Sequence, residues 1–290
     1  MRPFAYERPD RLADAVAILA DGGAERRARV LAGGTDLLIR LRDGTLRPDV
    51  VVDVKRIAEI DDGIHETAAR LVIGGRTVMT DIAAHPRIRR EFTALAEAAA
   101  VVGSVQIRNR ATLAGNIVNA SPAADTVPSL LVHDATVVVS GPGGERRVPI
   151  DEVFVRSGVT TFRPDEIVTA IELPLPDGPR GSVHVRRTRR RGHDLASVTL
   201  ACAIGRDGVT RVAYGSVGPR PLLRVDDSGI LADLGLPEAD RLAVLDGLLA
   251  DASPSPTSMR AGPGYRRAML GVLGWRAVAA AMTRRDEAAA

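Results

Sequence analysis

Three stretches of the 290-residue sequence carry residue types that could do chemistry. In 112–126, TLAGNIVNASPAADT, the small residues Ala114, Gly115 and Ala120 leave room for close approach to the backbone. Thr112, Asn116, Ser121, Asp125 and Thr126 bring donors and acceptors to the same segment, so it reads either as one wall of a ligand site or as a long surface loop. In 31–38, LAGGTDLL, Gly33 and Gly34 stand between a strand pattern and a helix pattern, where backbone N–H groups can reach a phosphate. An ordinary turn gives the same local pattern. The third is the cationic run 186–191, RRTRRR. Strand alternation there puts Arg186 and Thr188 opposite Arg187 and Arg189, so one face can meet a ligand while the other is solvated; a guanidinium in that place stabilises negative charge on an electron-accepting ring or a phosphate.

Other chemistries are weakly supported. There is no G-x-G-x-x-G fingerprint, no P-loop, no H-E-x-x-H and no G-x-S-x-G elbow. The five histidines lack ligand spacing, so they read as packing or surface residues and no metal site is expected. The single cysteine, Cys202, excludes an internal disulfide framework and a cysteine-ligated cluster within the chain. Net charge is only +3, and Lys55 is the sole lysine among 39 basic residues, a bias that gives no reason to infer nucleic acid. With no apolar signal region and no run near the ~20 apolar residues of a membrane span, a soluble cytoplasmic protein is expected.

These stretches must be held by a framework. The length suggests two domains, and 45% hydrophobic residues with only 3% aromatics point to a large core of Ala, Val, Leu and Ile. Periodicity predicts a helix from Asp10 that ends at Gly22-Gly23, a strand at 29–32, a helix carrying Leu37, Leu38 and Leu41, and strands at 50–54 and 70–74. A helix opens at Thr80, a longer one runs from Pro86 to Gly103, and 112–126 follows as a loop. Next come a short helix at 129–132, a strand at 136–139, a turn at 141–144 and a strand at 167–173. The Pro- and Gly-rich 174–179 reads as a linker. Beyond it lie three strands, 182–187, 197–206 and 209–217, and two helices, 238–250 and 264–283, before a frayed tail from Arg284.

Taken together, LAGGTDLL, QIRNRATLAGNI at 106–117, ASPAAD at 120–125 and RRGHDLA at 190–196 resemble the FAD-binding medium subunit of the molybdenum hydroxylases, the family of xanthine dehydrogenase and carbon monoxide dehydrogenase. The resemblance runs end to end. It implies an α+β fold: a two-lobed FAD-binding domain of the vanillyl-alcohol-oxidase (PCMH) type at 1–176, with lobes about 1–55 and 56–176, then a C-terminal domain at 180–285 with a three-stranded sheet and helices. Non-covalent FAD is implied, with Leu31, Ala32, Gly33, Gly34, Thr35, Asp36 and Leu37 around the pyrophosphate and Thr112, Ala114, Gly115 and Asn116 as the second dinucleotide turn. Val102 and Ser121 join the cofactor wall, Asp125 reaches the adenosine side, Arg186 stands near the flavin, and Ile167 packs near the ring or adenine.

The resemblance further implies no catalytic residue toward organic substrate in this chain. An iron-sulfur small subunit would relay electrons from a molybdopterin large subunit, and FAD would pass them to NAD⁺ or another acceptor. Two departures stand out. Ala114-Gly115 occupies a place where the family often has two glycines, and Thr35-Asp36 resembles the purine and aromatic-heterocycle branch more than the carbon monoxide branch. A stand-alone FAD oxidase and an FAD-free scaffold remain alternatives.

Overall fold

A computed structural model describes residues 3–21, 27–190 and 192–290. The expected helix end at Gly22-Gly23 and the last arginine of the cationic run, Arg191, lie outside the described residues.

The first sheet is small and parallel, ordered Ala5–Glu7, Val50–Asp53, Ala28–Leu31. Val50 and Val52 meet Ala15, Val16 and Leu19 of the helix Leu12–Ala20, giving a compact core. That helix starts at Leu12 rather than Asp10. No side chain caps it, and the Leu12 N–H donates instead to Glu59 Oε1 at 3.3 Å, a long-range contact invisible to local pattern. The same core reaches Ile57 and Ile60, beyond the expected lobe edge near 55.

The second sheet is antiparallel, with strands Ile64–Glu66, Arg70–Gly74, Ile167–Pro174, Thr136–Gly141 and Gly144–Pro149 in spatial order. Helices cover it. The one expected from Pro86 to Gly103 is two, Pro86–Glu91 and Thr93–Ala100, broken at Phe92 (φ −125°, ψ 44°). Phe92 is fully buried and packs edge-on against His133 at 5.1 Å, so tertiary packing interrupts a continuous helical pattern. The expected loop 112–126 is mostly helical: Leu113–Asn119, a turn through Ala120 in the left-handed region (φ 46°), then Thr126–Val132. The Thr112 hydroxyl accepts from the Gly115 N–H at 3.0 Å, an N-cap that secures a helix of otherwise poor formers, while Leu113, Ala114 and Ile117 are buried.

The third sheet has four antiparallel strands, Gly181–Arg187, Val198–Ile204, Thr210–Gly215 and Leu222–Asp226. Three were expected; the fourth, LLRVD, is half-exposed and follows a proline, so it lacks the apolar run of its neighbours. Strand alternation divides the sheet's duties. Val183, Leu200, Cys202, Val212 and Tyr214 face the helices Glu238–Leu249 and Pro263–Ala289. Ala201, Ala203 and Ala213 face the other way and join the core of the second sheet, so the C-terminal sheet is buried on both faces, one against its own helices and one against the rest of the chain.

On the long final helix, Arg266, Leu270, Leu273, Ala277 and Ala281 form the buried stripe, leaving Val272 exposed. The segment from Arg284 is not frayed; it continues this helix to Ala289, with Arg284 Nη1 donating to the Ser182 carbonyl at 2.6 Å. Among the described residues no helix is long and apolar enough to cross a membrane.

His133 is fully buried, and among the described residues neither ring nitrogen has a hydrogen-bond partner. Burial, reinforced by Arg180 and Arg211, lowers its pKa to about 3. The unfolded chain, near 6.5, therefore binds a proton that the folded chain refuses. This contribution to stability is complete above pH ~6.5 and is lost as pH falls toward ~3. We expect His133→Leu to remove about 2 kcal/mol of the wild-type loss between pH ~7 and pH ~5, measured by denaturant unfolding at each pH. An unchanged pH slope would place the imidazole in a wetter or better-paired environment.

Candidate functional site

The two glycine-bearing segments meet. A Cβ on Gly33 would overlap the carbonyl oxygen of Arg110 and stand 3.1 Å from Ala111 Cα. Gly34, with φ +77°, then turns the chain into the short helix Leu37–Arg42. Ladder-like bonds hold the other side of the seam: Met79 N–H donates to Ala111 O at 2.9 Å, Leu113 N–H donates to Thr77 O at 3.3 Å, and Val78 bridges Thr112. The small lobe's strand end is thus seated on the N-terminus of the helix Leu113–Asn119.

A cleft with about 320 Å³ of open space runs along this seam, lined by Ala32, Gly33, Val78 and Thr112 and by the cationic residues Lys55, Arg76 and Arg110. Lys55 Nζ lies 2.7 Å from Asp53 Oδ1, and Tyr6 donates its hydroxyl to the same carboxylate. Burial pushes Asp53 up, yet the hydrogen bonds from Lys55 and Tyr6 outweigh it and keep the carboxyl below its ordinary range. Arg76 donates to the carbonyls of Lys55 and Ile60, tying the end of the small lobe to the second sheet. Asn109, also in the lining, accepts from Thr80 Oγ1 at 2.6 Å. Three cations gathered beside the Ala32-Gly33 turn suit an anion such as a pyrophosphate. Lys55, Arg76, Asn109 and Arg110 were not named as site residues from the sequence; Asn109 and Arg110 stood within the quoted motif 106–117, and Lys55 had a signal only as the sole lysine.

From the cleft, a polar track follows the helix Leu113–Asn119. Asn116 Oδ1 accepts from Thr126 Oγ1 at 2.6 Å, and the neighbouring Asp125 binds Arg186 Nη1 at 2.7 Å. Ser121 lies between, its hydroxyl accepting from Ala123 N–H at 3.3 Å. Gly215 and Ser216 of the C-terminal sheet press on this turn. A Cβ on Gly215 would stand 2.8 Å from the Pro122 carbonyl oxygen, which accepts from Ser216 N–H at 2.7 Å.

The structure sorts the expected site residues. Leu31, Thr35 and Leu37 are half-buried and Asp36 is exposed, all on the turn beside the cleft; Ala114 is buried and Gly115 exposed on the facing helix. Val102 is half-buried against the main core, where its carbonyl accepts from Arg108. Ile167 does not face the cleft; it is 3% exposed inside the small lobe's core, which explains its apolar character without a ligand. Asp125 and Arg186 were assigned to opposite ends of a dinucleotide; in the structure they form one ion pair. The alternation expected along the cationic run holds for Arg186, which meets Asp125, and Arg187, which donates to Tyr265; the strand ends there, before Thr188.

A parallel lobe and an antiparallel lobe joined at a cationic, glycine-lined seam define a two-lobed dinucleotide-binding protein. Residues 2–176 match the family described as the FAD binding domain in molybdopterin dehydrogenase. The chain belongs to that family, and is an FAD-binding oxidoreductase subunit of the molybdenum hydroxylase type. It is 30% identical to the carbon monoxide dehydrogenase medium chain of Hydrogenophaga pseudoflava, over 97% of this chain and 98% of that one. It is 32% identical to the putative xanthine dehydrogenase FAD-binding subunit XdhB of Escherichia coli K12, over 90% of each. Carbon monoxide dehydrogenase from H. pseudoflava contains a chain of the same fold, with a TM-score of 0.87, 30% identity, and coverage of 98% of this chain and 99% of that one.

The seam can be tested through its glycines. We expect Gly33→Ala to cost about 2 kcal/mol, because backbone on both sides must move. Gly44→Ala is the control, at φ +76° with nothing within 4 Å, and should cost only the left-handed penalty of about 1 kcal/mol. Denaturant midpoints of the two variants compare the effects, and equal losses would mean a looser seam.

Proposed function

We propose that FAD lies along the seam with its pyrophosphate between 31–37 and 112–116, over Lys55 and Arg76, and with its redox-active ring toward Asp125 and Arg186. The observation that carries this reading is the seating of Gly33 against the Arg110 carbonyl, which makes one site of two separate turns and opens it onto three cations. Bound flavin supplies the ability to take electrons one at a time and release them in pairs. The chain's own residues bind and orient it: Thr112 fixes the facing helix, Lys55 and Arg76 balance phosphate charge, and Arg186 stabilises negative charge near the ring. In this reading, residues 1–176 form the cofactor-binding unit and 180–285 the C-terminal domain that supplies Arg186.

The electrons come from [2Fe-2S] clusters of a small partner subunit, fed by a molybdopterin large subunit, and pass to NAD⁺ or another acceptor in the cytoplasm. The names of the relatives support this: a medium chain and an FAD-binding subunit are parts of larger enzymes. Purification of the chain with its genomic neighbours is expected to give a yellow complex whose heat-released cofactor is FAD. A colourless complex of full subunit content would end the reading.

Two substitutions probe the placement. Asn116→Asp keeps an acceptor for Thr126 and adds one charge, so we expect about tenfold weaker FAD binding by fluorescence titration. Unchanged affinity would move the pyrophosphate elsewhere. Arg186→Met alone strands the buried Asp125, so Arg186→Met with Asp125→Asn is compared with Asp125→Asn alone, and the double variant is expected to have the lower flavin reduction potential of the two, from the lost cation.

A further inference from the structure

One buried polar group beside this site has no role in the account above. His184 lies two residues before Arg186 on the strand Gly181–Arg187, and so on the same face. Only 8% of it is exposed. Its Nε2 stands 3.0 Å from Thr199 Oγ1 and 3.4 Å from Asp125 Oδ1, while its backbone N–H donates to Glu97 Oε2 at 2.9 Å. Glu97 is held in turn by Arg284 of the final helix. Asp125 Oδ2 takes the Arg186 guanidinium, but Oδ1 is buried with no hydrogen bond of normal geometry among the described residues. An orphaned carboxylate oxygen costs free energy comparable to its lost hydration, and the imidazole Nε2 is the polar atom facing it.

We propose that His184 is a positioning residue: with its hydrogen on Nε2 it donates to Asp125 Oδ1, fixing the carboxylate plane and, through Oδ2, the direction of the Arg186 guanidinium. The other N–H groups of Arg186 are then presented in one orientation to an anionic group in the site. Specificity and electrostatics at that end of the cofactor depend on a histidine that has no need to touch it. The proposal rests on the FAD placement given above.

The test uses the full chain, alone for affinity and in its complex for potential. His184→Phe keeps a planar ring and removes the donor; His184→Gln keeps an N–H donor. We expect His184→Phe to weaken FAD binding about tenfold, the scale of a hydrogen bond to a charged group, and to lower the flavin potential. His184→Gln should stay within about threefold of wild type, and Thr199→Val within about twofold, because the partner that matters is the carboxylate. In an Asp125→Asn background, His184→Phe should add no further loss. The proposal is overturned if His184→Phe binds FAD as wild type does, if Gln fails to rescue, if Thr199→Val reproduces the loss, or if the loss persists beside Asp125→Asn. A double-mutant cycle of His184→Phe and Asp125→Asn in thermal unfolding of the flavin-free chain reads the contact without the cofactor. Wild-type chain that takes up no FAD would sink the flavin placement and the positioning role with it. The cycle then decides the His184–Asp125 contact alone, coupling supporting it and additivity ending it.

Discussion

The carbonyl of Arg110 occupies the space a side chain would need at residue 33, and the two lobes can close only because that side chain is absent. Much follows from this contact. The end of the parallel strand Ala28–Leu31 comes to rest on the entry to the helix Leu113–Asn119, so a turn of the small lobe and a capped helix of the large one face a common cleft. Arg76 reinforces the closure by taking two carbonyls of the 55–60 segment, and in doing so becomes part of the lining. The seam that joins the lobes and the site between them are the same set of atoms.

The C-terminal sheet solves a second problem, that of bringing charge to the far end of this track without a pocket of its own. Its outer face carries large apolar residues for two helices, and its inner face carries alanines with Ser182, His184 and Thr199, which allow the helices Thr93–Ala100 and Thr126–Val132 close access. Specific polar contacts then lock it in place: the Ala94 N–H donates to Ser182 Oγ at 3.1 Å, and Ser129 Oγ donates to the Ala94 carbonyl at 2.9 Å. Arg186 arrives beside Asp125 because small residues on this face permit the approach. Arg266, buried on the final helix, donates to the Ser216 carbonyl and so braces the sheet end that presses on Pro122.

Local chemistry made much of the framework legible. The strands at 50–53, 136–141 and 167–174 were readable because each is an apolar run long enough to stand out. The short edge strands Ala5–Glu7 and Ile64–Glu66 have no such run and exist only through their neighbours. The segment 112–126 misled in an instructive way. Its small residues were read as leaving room for a ligand, but at Pro122 the approach is made by Gly215 and Ser216 of the chain itself, and half of the segment is helical behind the Thr112 cap.

By itself, the sequence determined the composition of the core, most of the strands and the two glycine turns, because each depends on residues within a few positions of one another. Its resemblance to the molybdenum hydroxylase flavoproteins also identified the family. Tertiary structure alone decided which cations face the cleft, that Ile167 belongs to the small core, and that Asp125, Arg186 and His184 share one buried cluster. These are meetings between residues tens of positions apart, and pairing across such distances is set by the packing of sheets and helices rather than by any local preference.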